Sequence, residues 1–487
     1  MYSAPACART PLPWQNLSLN QVGPAHENRR NYPNWLRNLP LQHGRLCPLG
    51  TCGRARAAGT DFALRGQRRP TRLRARMTAN GGFRVVHVFP DSARLSCGPC
   101  NAILAIMESQ QNHGMDVKGI SPVDHNIPAA QCQRIEHLPI REVDFGAADF
   151  ASTALAARAE GRGAIFHFHG IASRTNQLAR KLKQAGIPYV FTSHGQLLYH
   201  GFTHGLKKFI YLNLVSRFIR DAGGLHFLTQ READRARYLL PTWRGPLLVH
   251  HNLVRVPDPA SVRPRSRQEL SIPADAFVFA YLGRLHVEHK GLDLVVKAFA
   301  RIATQANAYL VLVGPDWAGG RQILEQLASQ LGCGERVRFL DSQIGEAKWS
   351  ALRMADAFVS PSRWEACSLA QAEAIGFGLP TILSTGVSIA PEAVERGAAL
   401  ASPLNAAALA RAMQQLIENR QLRRSLSELG RQWVLQTCSF EMAGACFQEF
   451  YQRVLESRPT HSSPVANHPP PAALVASATR EPADRKN

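Results

Sequence analysis

Between residues 83 and 456, short apolar runs of strand length alternate with segments whose apolar positions recur at helical spacing. This alternation predicts parallel sheets covered by helices, because parallel strands need long crossover connections that are usually helical. A Pro- and Arg-rich linker at 257–267 divides the strands into two sets. The predicted strands are 83–89, 164–168, 189–192, 224–228 and 247–250, then 277–282, 309–313, 337–340, 357–359 and 381–383.

Helical periodicity fills the spaces between these strands, at 102–113, 175–185, 206–222, 232–239, 292–303, 322–331, 348–354 and 370–376. The economical fold is α/β, with two Rossmann-like doubly wound domains facing across a cleft, at 83–258 and 272–434. Ligands of such sheets bind beyond the carboxyl ends of the strands. We therefore expect the site where two such edges meet in the cleft.

Both ends of the chain lack a helix or strand period. Residues 1–82 are rich in Pro, Gly and Arg, and residues 458–487 are of low complexity. We predict that both are disordered. The first is interpreted as an Arg-rich extension or the product of an upstream start, with the functional chain beginning near Met77.

The formal net charge of +21 is concentrated at the N-terminal end, where residues 1–76 hold thirteen Arg, no Lys and two acidic residues. The smaller excess on the remainder argues against a nucleic-acid partner and suits an anionic small substrate or an anionic membrane surface. No apolar run approaches the ~18 residues that a membrane-spanning helix needs. We expect a chain that does not cross a bilayer.

Ten cysteines are scattered without a repeated spacing, which is typical of a reducing compartment and predicts a cytoplasmic location. The pair Cys97-Gly-Pro-Cys100 precedes a predicted helix, as a thioredoxin-type redox motif does. No Trp precedes Cys97, and the loop before the pair is long. We interpret these residues as structural thiols around a small turn.

The segment 360–380 places Glu365 in a loop after a strand and Glu373 in the following helix. The spacing alone allows three interpretations. The two carboxylates contact different parts of one ligand, or they are the acid and base of a hydrolase, or they are a helix-capping acid and a solvated helix residue.

In the segment 281–293, a strand ends at Gly283-Arg284, and Lys290-Gly291 is predicted to open a helix. Arg binds phosphate bidentately, Lys adds a point charge, and a helix N-terminus attracts anions. The pair therefore suits a diphosphate, with two solvated loop cations as the alternative. A P-loop is excluded because its Gly-Lys-Ser/Thr ending is missing.

Together, Arg284, Lys290 and the Glu365-x7-Glu373 pair resemble the retaining GT-B glycosyltransferases of family 4, also called group 1. The resemblance continues through LVLVGPDWAGG at 310–320, ERVRFL at 335–340 and FVSPSRWE at 358–365. In the first half, IPYVFTSHGQL and FLTQREA are similar to members that build surface polysaccharides. It covers 83–456, and the segment 435–457 resembles terminal helices that cross back to the first domain.

The resemblance implies that Arg284 and Lys290 hold the diphosphate of a nucleotide-sugar donor and offset the charge that develops on it. Glu373 would bind the ribose hydroxyls, and Glu365 and His194 would face the donor sugar. The donor site would also include Gly98, Pro99, Gly283 and Leu369.

The catalytic set implied by the resemblance is Glu365, His194, Arg284 and Lys290, with no metal and no cofactor. One departure from the family pattern is Ala366, where Gly commonly follows the first Glu. A Cβ there removes easy access to positive φ, so we expect an altered sugar-facing loop.

Two further features left alternatives open. His167 and His169 are spaced to lie on one face of a strand, but no third metal ligand is evident, and we expect substrate-contacting or hydrogen-bonded histidines. The helix 206–222 carries an apolar face and a basic face. It suits peripheral docking on anionic lipid, or it is a core helix with a solvated face.

The sequence therefore predicts a metal-independent, hexosyl-type glycosyltransferase. It would move a sugar from a nucleotide-diphosphate donor to a saccharide or lipid-linked saccharide acceptor, with retention, in polysaccharide or glycoconjugate biosynthesis. An inactive sugar-nucleotide-binding or scaffold protein and a nucleotide-sugar epimerase of the same fold are the alternatives.

Overall fold

The computed structural model of the protein describes residues 82–94, 97–124, 135–144, 163–170, 175–197 and 217–457. The predicted disordered segments, apart from residue 82, lie outside this range, as does most of the predicted basic helix at 206–222. No helix within the described range is long and apolar enough to span a bilayer.

The first sheet has seven parallel strands in the order β3-β2-β1-β4-β5-β6-β7. The strands are β1 Arg84–Val88, β2 Asp116–Pro122, β3 Ile140–Val143, β4 Ala164–His169, β5 Tyr189–Thr192, β6 Gly224–Phe227 and β7 Leu247–Val249. Three described helices accompany them, α1 Gly98–Asn112, α2 Thr175–Gln184 and α3 Gln230–Leu239. Since the strand order reverses between β1 and β4, the carboxyl ends of these two strands mark the crevice of the sheet.

The second sheet has six parallel strands in the order β10-β9-β8-β11-β12-β13. The strands are β8 Phe277–Leu282, β9 Ala308–Val313, β10 Val337–Leu340, β11 Ala357–Ser360, β12 Thr381–Ser384 and β13 Leu400–Ser402. Its helices are α4 Val287–Lys290, α5 Leu292–Ala303, α6 Gly320–Gln330, α7 Gly345–Arg353, α8 Leu369–Gly376, α9 Ala390–Glu395, α10 Ala406–Glu418 and α11 Arg420–Thr437. Its order reverses between β8 and β11, the strands that precede the two charged segments.

The expected α/β class and both doubly wound sheets are confirmed. The strands β2, β3 and β13 were missed. The sequence of β2, DVKGISP, has no continuous apolar run that would identify it as a strand. Gly119 interrupts the run, and no larger residue fits there, because a Cβ would lie 2.8 Å from Ile140 Cγ1. Helix α1 begins at Gly98, four residues before its predicted start. Pro99 is compatible with the first turn, because the backbone N–H groups of that turn have no acceptor within the helix.

The prediction that Lys290 opens a helix is wrong. Lys290 ends the short helix α4, and Gly291, with φ +65°, separates it from α5. A Cβ at Gly291 would lie 2.1 Å from the carbonyl oxygen of Pro361. Only glycine therefore allows this turn to pack against the loop that follows β11.

The last helix, α12 Phe440–Glu456, returns to the first sheet and packs on α1. Its buried aromatic residues Phe447, Phe450 and Tyr451 share one core with residues of β1, β4 and β5. The hydroxyl of Ser109 in α1 donates to the carbonyl oxygen of Phe440 at 2.5 Å. The C-terminal helix is thus an integral part of the first domain's core.

Candidate functional site

The loops after β8 and β11 lie side by side, because these strands pair in the middle of the second sheet, with Phe358 opposite Ala280. The first loop carries Gly283 and Arg284, and the second carries Glu365. Gly283 has φ +149°, and a Cβ there would lie 2.7 Å from the hydroxyl oxygen of Tyr281. The edge of the sheet therefore brings the two predicted charged segments together.

Lys290 and Glu365 form an ion pair in which Lys290 Nζ donates to Glu365 Oε2. Their side chains are only 12% and 18% exposed. Beside them, the rings of His289 and Trp364 stack at 4.7 Å with an interplanar angle of 9°. Burial, and then the Lys290 charge, lowers the pKa of His289 to about 4, so this imidazole is neutral near pH 7.

Arg284 lies over the ring of Trp317, with its guanidinium carbon 4.7 Å from the ring centroid. Trp317 is 45% exposed, so the cation is presented at a surface that ligands can reach. The backbone carbonyl of Arg284 accepts a hydrogen bond from the hydroxyl of Tyr281 at 3.0 Å. The stacking and the backbone contact together hold this guanidinium at the mouth of the loop.

Glu373 lies in the second turn of α8, which begins at Leu369, and it pairs with a cation that the sequence reasoning missed. Lys348 of α7 donates from Nζ to Glu373 Oε1 at 2.6 Å. Burial raises the pKa of Glu373, and the Lys348 charge opposes that rise. The interpretation of Glu373 as a solvated helix residue is therefore wrong, since its side chain is 15% exposed.

The turn Ser193-His194-Gly195 follows β5 in the first domain and adopts a strained backbone, since His194 has φ +46°. The buried carboxylate of Glu232 holds the turn. It accepts hydrogen bonds from the Ser193 hydroxyl at 2.5 Å, from Gly195 N at 2.6 Å and from Leu228 N at 2.9 Å. Burial raises the pKa of Glu232, and these donors oppose that rise.

Glu232 was not recognised as a site residue from the sequence, although it lies in the segment FLTQREA. It lies in the first turn of α3, where an acidic residue is ordinarily explained by its favourable interaction with the helix dipole. Within the described residues, no Lys or Arg pairs with it. The three N–H and O–H donors stabilise the Glu232 carboxylate in place of a positively charged side chain.

The turn at His194 meets the second domain at Ala366. A Cβ at Gly195, which has φ +86°, would lie 3.0 Å from Ala366 Cβ. Asn252 adds a second contact between the domains, because its Nδ2 donates to the carbonyl oxygen of Cys367 at 2.6 Å. His194 and Glu365 are therefore adjacent in sequence to the two residues that make this close contact, Gly195 and Ala366. The methyl group of Ala366 occupies the space beside Gly195, which has no side chain.

Gly98 and Pro99 form the first turn of α1, and Cys97 is the N-cap residue. Cys97 Sγ and Cys100 Sγ are hydrogen-bonded at 3.0 Å, and the six cysteines in the described part of the chain are free thiols. The hydrogen bond with Cys100 lowers the pKa of Cys97, and the charge of Arg284 contributes to the lowering. The start of α1 therefore lies within electrostatic range of Arg284.

His167 and His169 share one face of β4, as predicted, and their rings stack at 4.2 Å. A third histidine that is not evident from the sequence accompanies them, because His87 lies directly opposite His167 in the paired strand β1, and the rings are hydrogen-bonded as expected. One ring nitrogen from each of the three histidines lies within 4.8 Å of the others. The cluster is fully buried.

The class of protein follows from these observations. Two doubly wound parallel domains share an interface, and charged residues collect at the carboxyl edge of the second sheet, where the turn of His194 from the first domain meets it. This is the GT-B architecture. Two family models match the chain, the glycosyl transferase 4-like domain over residues 98–253 and the glycosyl transferases group 1 over residues 262–433. The chain belongs to the group 1 glycosyltransferases.

Individual relatives match shorter segments. The lipopolysaccharide core biosynthesis glycosyltransferase LpsD of Rhizobium meliloti is 37% identical over 143 residues, covering 29% of this chain and 38% of the relative. A D-inositol 3-phosphate glycosyltransferase of Corynebacterium efficiens is 34% identical over 138 residues, covering 27% and 32%. The chain thus spans about a third of the length of these relatives.

Solved structures share the fold over most of the described chain. Sucrose-phosphate synthase of Thermosynechococcus elongatus has a TM-score of 0.61 at 21% identity and covers 77% of this chain and 99% of its own. Anabaena HepE in complex with UDP has a TM-score of 0.60 at 17% identity, with coverage of 76% and 100%. WaaG, a glycosyltransferase of lipopolysaccharide biosynthesis, has a TM-score of 0.53 at 15% identity, with coverage of 74% and 97%.

Proposed function

We propose that the protein transfers a hexosyl group from a nucleotide-diphosphate sugar to a saccharide or lipid-linked saccharide, with retention of configuration. The observation that carries the proposal is the charge arrangement at the β8 and β11 edge. Two cations, Arg284 and Lys290, lie beside two partly buried carboxylates, Glu365 and Glu373, and the His194 turn faces them. Anionic and hydroxyl-bearing parts of one ligand match this pattern.

The diphosphate is assigned to Arg284 and Lys290, with the backbone at Gly283 and at the Gly98-Pro99 turn approaching it. Without ligand, Lys290 is paired with Glu365. A diphosphate carries more negative charge than one carboxylate, so it competes for Lys290 and releases Glu365 toward the sugar. Stabilisation of the departing diphosphate by fixed cations is the largest catalytic effect that this site supplies.

The ribose hydroxyls are assigned to Glu373, in the α8 helix that begins at Leu369. Lys348 holds one carboxylate oxygen of Glu373. The other oxygen is available to accept from a hydroxyl, which suits one end of a nucleoside. Because two side-chain cations meet the diphosphate, we propose that transfer needs no metal ion and expect it to persist in excess chelator.

The names of similar proteins support a nucleotide-sugar donor and a saccharide acceptor. HepE was solved with UDP and with UDP-glucose, and starch synthase IV of Arabidopsis thaliana with ADP and acarbose. LpsD and WaaG are named for lipopolysaccharide biosynthesis. We extend these classes to this chain, with action at the cytoplasmic face of a membrane, which the free thiols of the described cysteines support.

Thermal-shift binding of UDP, GDP and ADP to the full chain tests the donor site. A ligand that binds only the folded state at 100 times its Kd stabilises that state by about 2.7 kcal/mol. We expect one nucleotide to raise the Tm, and Arg284→Ala and Glu373→Ala to abolish the shift. Arg301→Ala is the matched control, because Arg301 is exposed at the opposite end of α5 from Gly291. Failure of all three nucleotides would overturn the donor assignment.

Catalysis is tested separately from binding. The nucleotide that shifts the Tm is supplied as its glucose or mannose sugar, and nucleotide release is followed with and without a saccharide acceptor extracted from lipopolysaccharide or exopolysaccharide. Acceptor-dependent release identifies a transferase. Binding without release identifies the scaffold alternative, and conversion of the sugar without an acceptor identifies the epimerase.

A further inference from the structure

The buried histidines of the first domain form one continuous chain of eight hydrogen bonds that ends at His194. All six ring nitrogens of His87, His167 and His169 have a hydrogen-bond partner. The nitrogens of His87 and His169 that face each other are only 2.8 Å apart. The cluster is therefore built as a hydrogen-bonded network and has no ring nitrogen left for a metal.

The direction of every proton in this chain can be derived from its far end. His226 Nε2 lies 3.1 Å from the backbone carbonyl oxygen of His250, which only accepts. His226 is neutral, so its Nδ1 is bare and accepts from the hydroxyl of Thr192 at 2.8 Å. The Thr192 oxygen must then accept from His167 Nε2 at 2.6 Å, and the bare Nδ1 of His167 accepts from the hydroxyl of Tyr451 at 2.7 Å.

The same reasoning continues from Tyr451 to the site. Because the Tyr451 hydroxyl donates its proton to His167 Nδ1, the Tyr451 oxygen accepts from Gln110 Nε2 at 3.0 Å. Gln110 Oε1 then accepts from His87 Nε2 at 2.8 Å, and His87 Nδ1 accepts from His169 Nε2 at 2.8 Å. The bare Nδ1 of His169 accepts from His194 Nε2 at 2.9 Å. His194 is left with its proton on Nε2 and a bare Nδ1.

The reverse direction is disfavoured by the anchor. If Gln110 were turned over, each donor and acceptor in the chain would exchange roles, and His226 would present a bare Nε2 to the His250 carbonyl. Two acceptors would then face each other at 3.1 Å. A buried polar group without a hydrogen bond costs about 1–3 kcal/mol, and this contact is partly buried, so the stated direction is preferred by about five- to 150-fold at most.

Neutral imidazoles are required for this derivation, and the surroundings supply them. His87, His167, His169 and His226 are fully buried. Burial lowers the pKa of His87 and of His194 to about 4, and lowers those of His167, His169 and His226 well below their usual value, with repulsion between neighbouring histidines adding to the effect.

We propose that Gln110 and Tyr451 are positioning residues, which act through His87 and His169 to fix His194 in the Nε2–H tautomer and make its Nδ1 an obligate hydrogen-bond acceptor. Among the described residues, Nδ1 of His194 has no partner. A hydroxyl of the bound sugar or of the acceptor saccharide is the donor that complements it. The catalytic consequence rests on the proposed function, whereas the tautomer does not.

Tyr451→Phe is the most direct test, because it removes one hydroxyl without changing the shape of the core. The variant disconnects His194 from the His250 carbonyl, so Gln110 can turn over and both tautomers become available. Tyr189→Phe is the matched control. Tyr189 is another buried tyrosine of the same domain, and its hydroxyl donates to the carbonyl oxygen of Phe218 at 2.6 Å outside the histidine chain.

Solid-state ¹⁵N NMR of histidine-labelled full-length protein distinguishes protonated from bare ring nitrogens without any ligand, and His194→Asn identifies the signals. We expect the Nε2–H form of His194 to predominate by at least about fivefold in the wild type and in Tyr189→Phe, and a mixture nearer to equal populations in Tyr451→Phe. A predominant Nδ1–H form in the wild type, or an unchanged tautomer in Tyr451→Phe, overturns the proposal. So does stoichiometric zinc that is lost in His87→Gln.

A kinetic readout follows if the donor is identified. Nucleotide release should fall in proportion to the lost Nε2–H population, by about twofold for an equal mixture, in Tyr451→Phe and should be unchanged in Tyr189→Phe, with the Tm shift by nucleotide retained in both. Because the NMR result does not depend on any donor, a failure of the donor assignment leaves it intact, and a failure of the tautomer leaves nucleotide binding intact.

Discussion

Mild acid is expected to destabilise the fold, because the histidine chain must stay neutral. His87 has a folded pKa of about 4, against 6.5 for an ordinary histidine. A group whose pKa is lowered by folding stabilises the native state above its unfolded pKa, and this stability is lost as the pH falls toward the folded pKa. The relevant window therefore runs from pH 6.5 down to about pH 4.

The magnitude for His87 alone follows from the linkage relation. Below pH 6.5 the unfolded state holds one more proton than the native state, and each pH unit then costs about 1.36 kcal/mol. At pH 5 the loss from His87 is about 2 kcal/mol. His167, His169 and His226 are equally buried with lowered pKa values. Their lowered pKa values add to the loss in the same direction.

Two buried carboxylates act in the opposite direction. Glu232 and Glu373 have raised pKa values, so their native forms take up a proton at higher pH than their unfolded forms. Their contribution to stability rises as the pH falls through the folded pKa toward 4.5. The histidines outnumber them, and we expect a net loss.

Urea unfolding followed by circular dichroism at pH 7.5, 6.5, 5.5 and 5.0 measures the slope of stability against pH. His87→Gln isolates one histidine, because the slope between pH 6.5 and 5 should decrease by about one proton. The reasoning is refuted if wild-type stability is flat from pH 7.5 to 5, or if His87→Gln leaves the slope unchanged. Either result would mean that protonation of the histidine cluster does not lower the free energy of unfolding.

Three other perturbations test the site. Glu232→Gln places an N–H₂ group against the donors of the His194 turn and should cost about 1–3 kcal/mol in urea unfolding, whereas a neutral outcome would show that the carboxylate does not hold the turn. Gly195→Ala adds a methyl at φ +86° and 3.0 Å from Ala366 Cβ. It should lower the Tm, and the double variant with Ala366→Gly should recover the steric part but not the backbone strain of about 1–2 kcal/mol. Lys348→Met leaves Glu373 as a largely buried carboxylate without its cation, and at pH 7.5 it should cost somewhat less than the about 3–5 kcal/mol of a fully buried pair. The cost should become smaller as the pH falls, because burial raises the pKa of Glu373 and favours its neutral form; equal losses at pH 7.5 and pH 5 would contradict the pairing.

The parts of the fold that the sequence predicted best are those whose local pattern matches their environment. The strands Tyr189–Thr192, Phe277–Leu282 and Val337–Leu340 and the helix Leu292–Ala303 agree with their predicted bounds. The first two strands are apolar or nearly so, Val337–Leu340 is interrupted only by Arg338, and the helix has a clear apolar stripe. The strand Asp116–Pro122 has no such pattern, because Asp116, Lys118 and Gly119 interrupt it and its packing requires the glycine.

The charged segments of the site were predictable because sheet edges collect ligand-binding loops, and formal charges are visible in a sequence. Their partners were not visible. Lys348 lies 25 positions from Glu373, and Gln110 lies 341 positions from Tyr451. A hydrogen bond between residues so far apart in sequence depends on the topology of the fold. The local periodicity of the sequence carries no information about it. For the same reason, His87 could not be recognised as the third member of the histidine cluster.

The return of the helix Phe440–Glu456 to the first sheet affects the order in which the protein can mature. Domains usually fold from the N-terminus onward as the chain is synthesised. Here Phe447, Phe450 and Tyr451, among the last described residues to be made, complete a core that begins with Val85. The core of the first domain therefore cannot be completed until these residues have been synthesised, and a chain that stops before residue 440 loses part of that core rather than a dispensable tail.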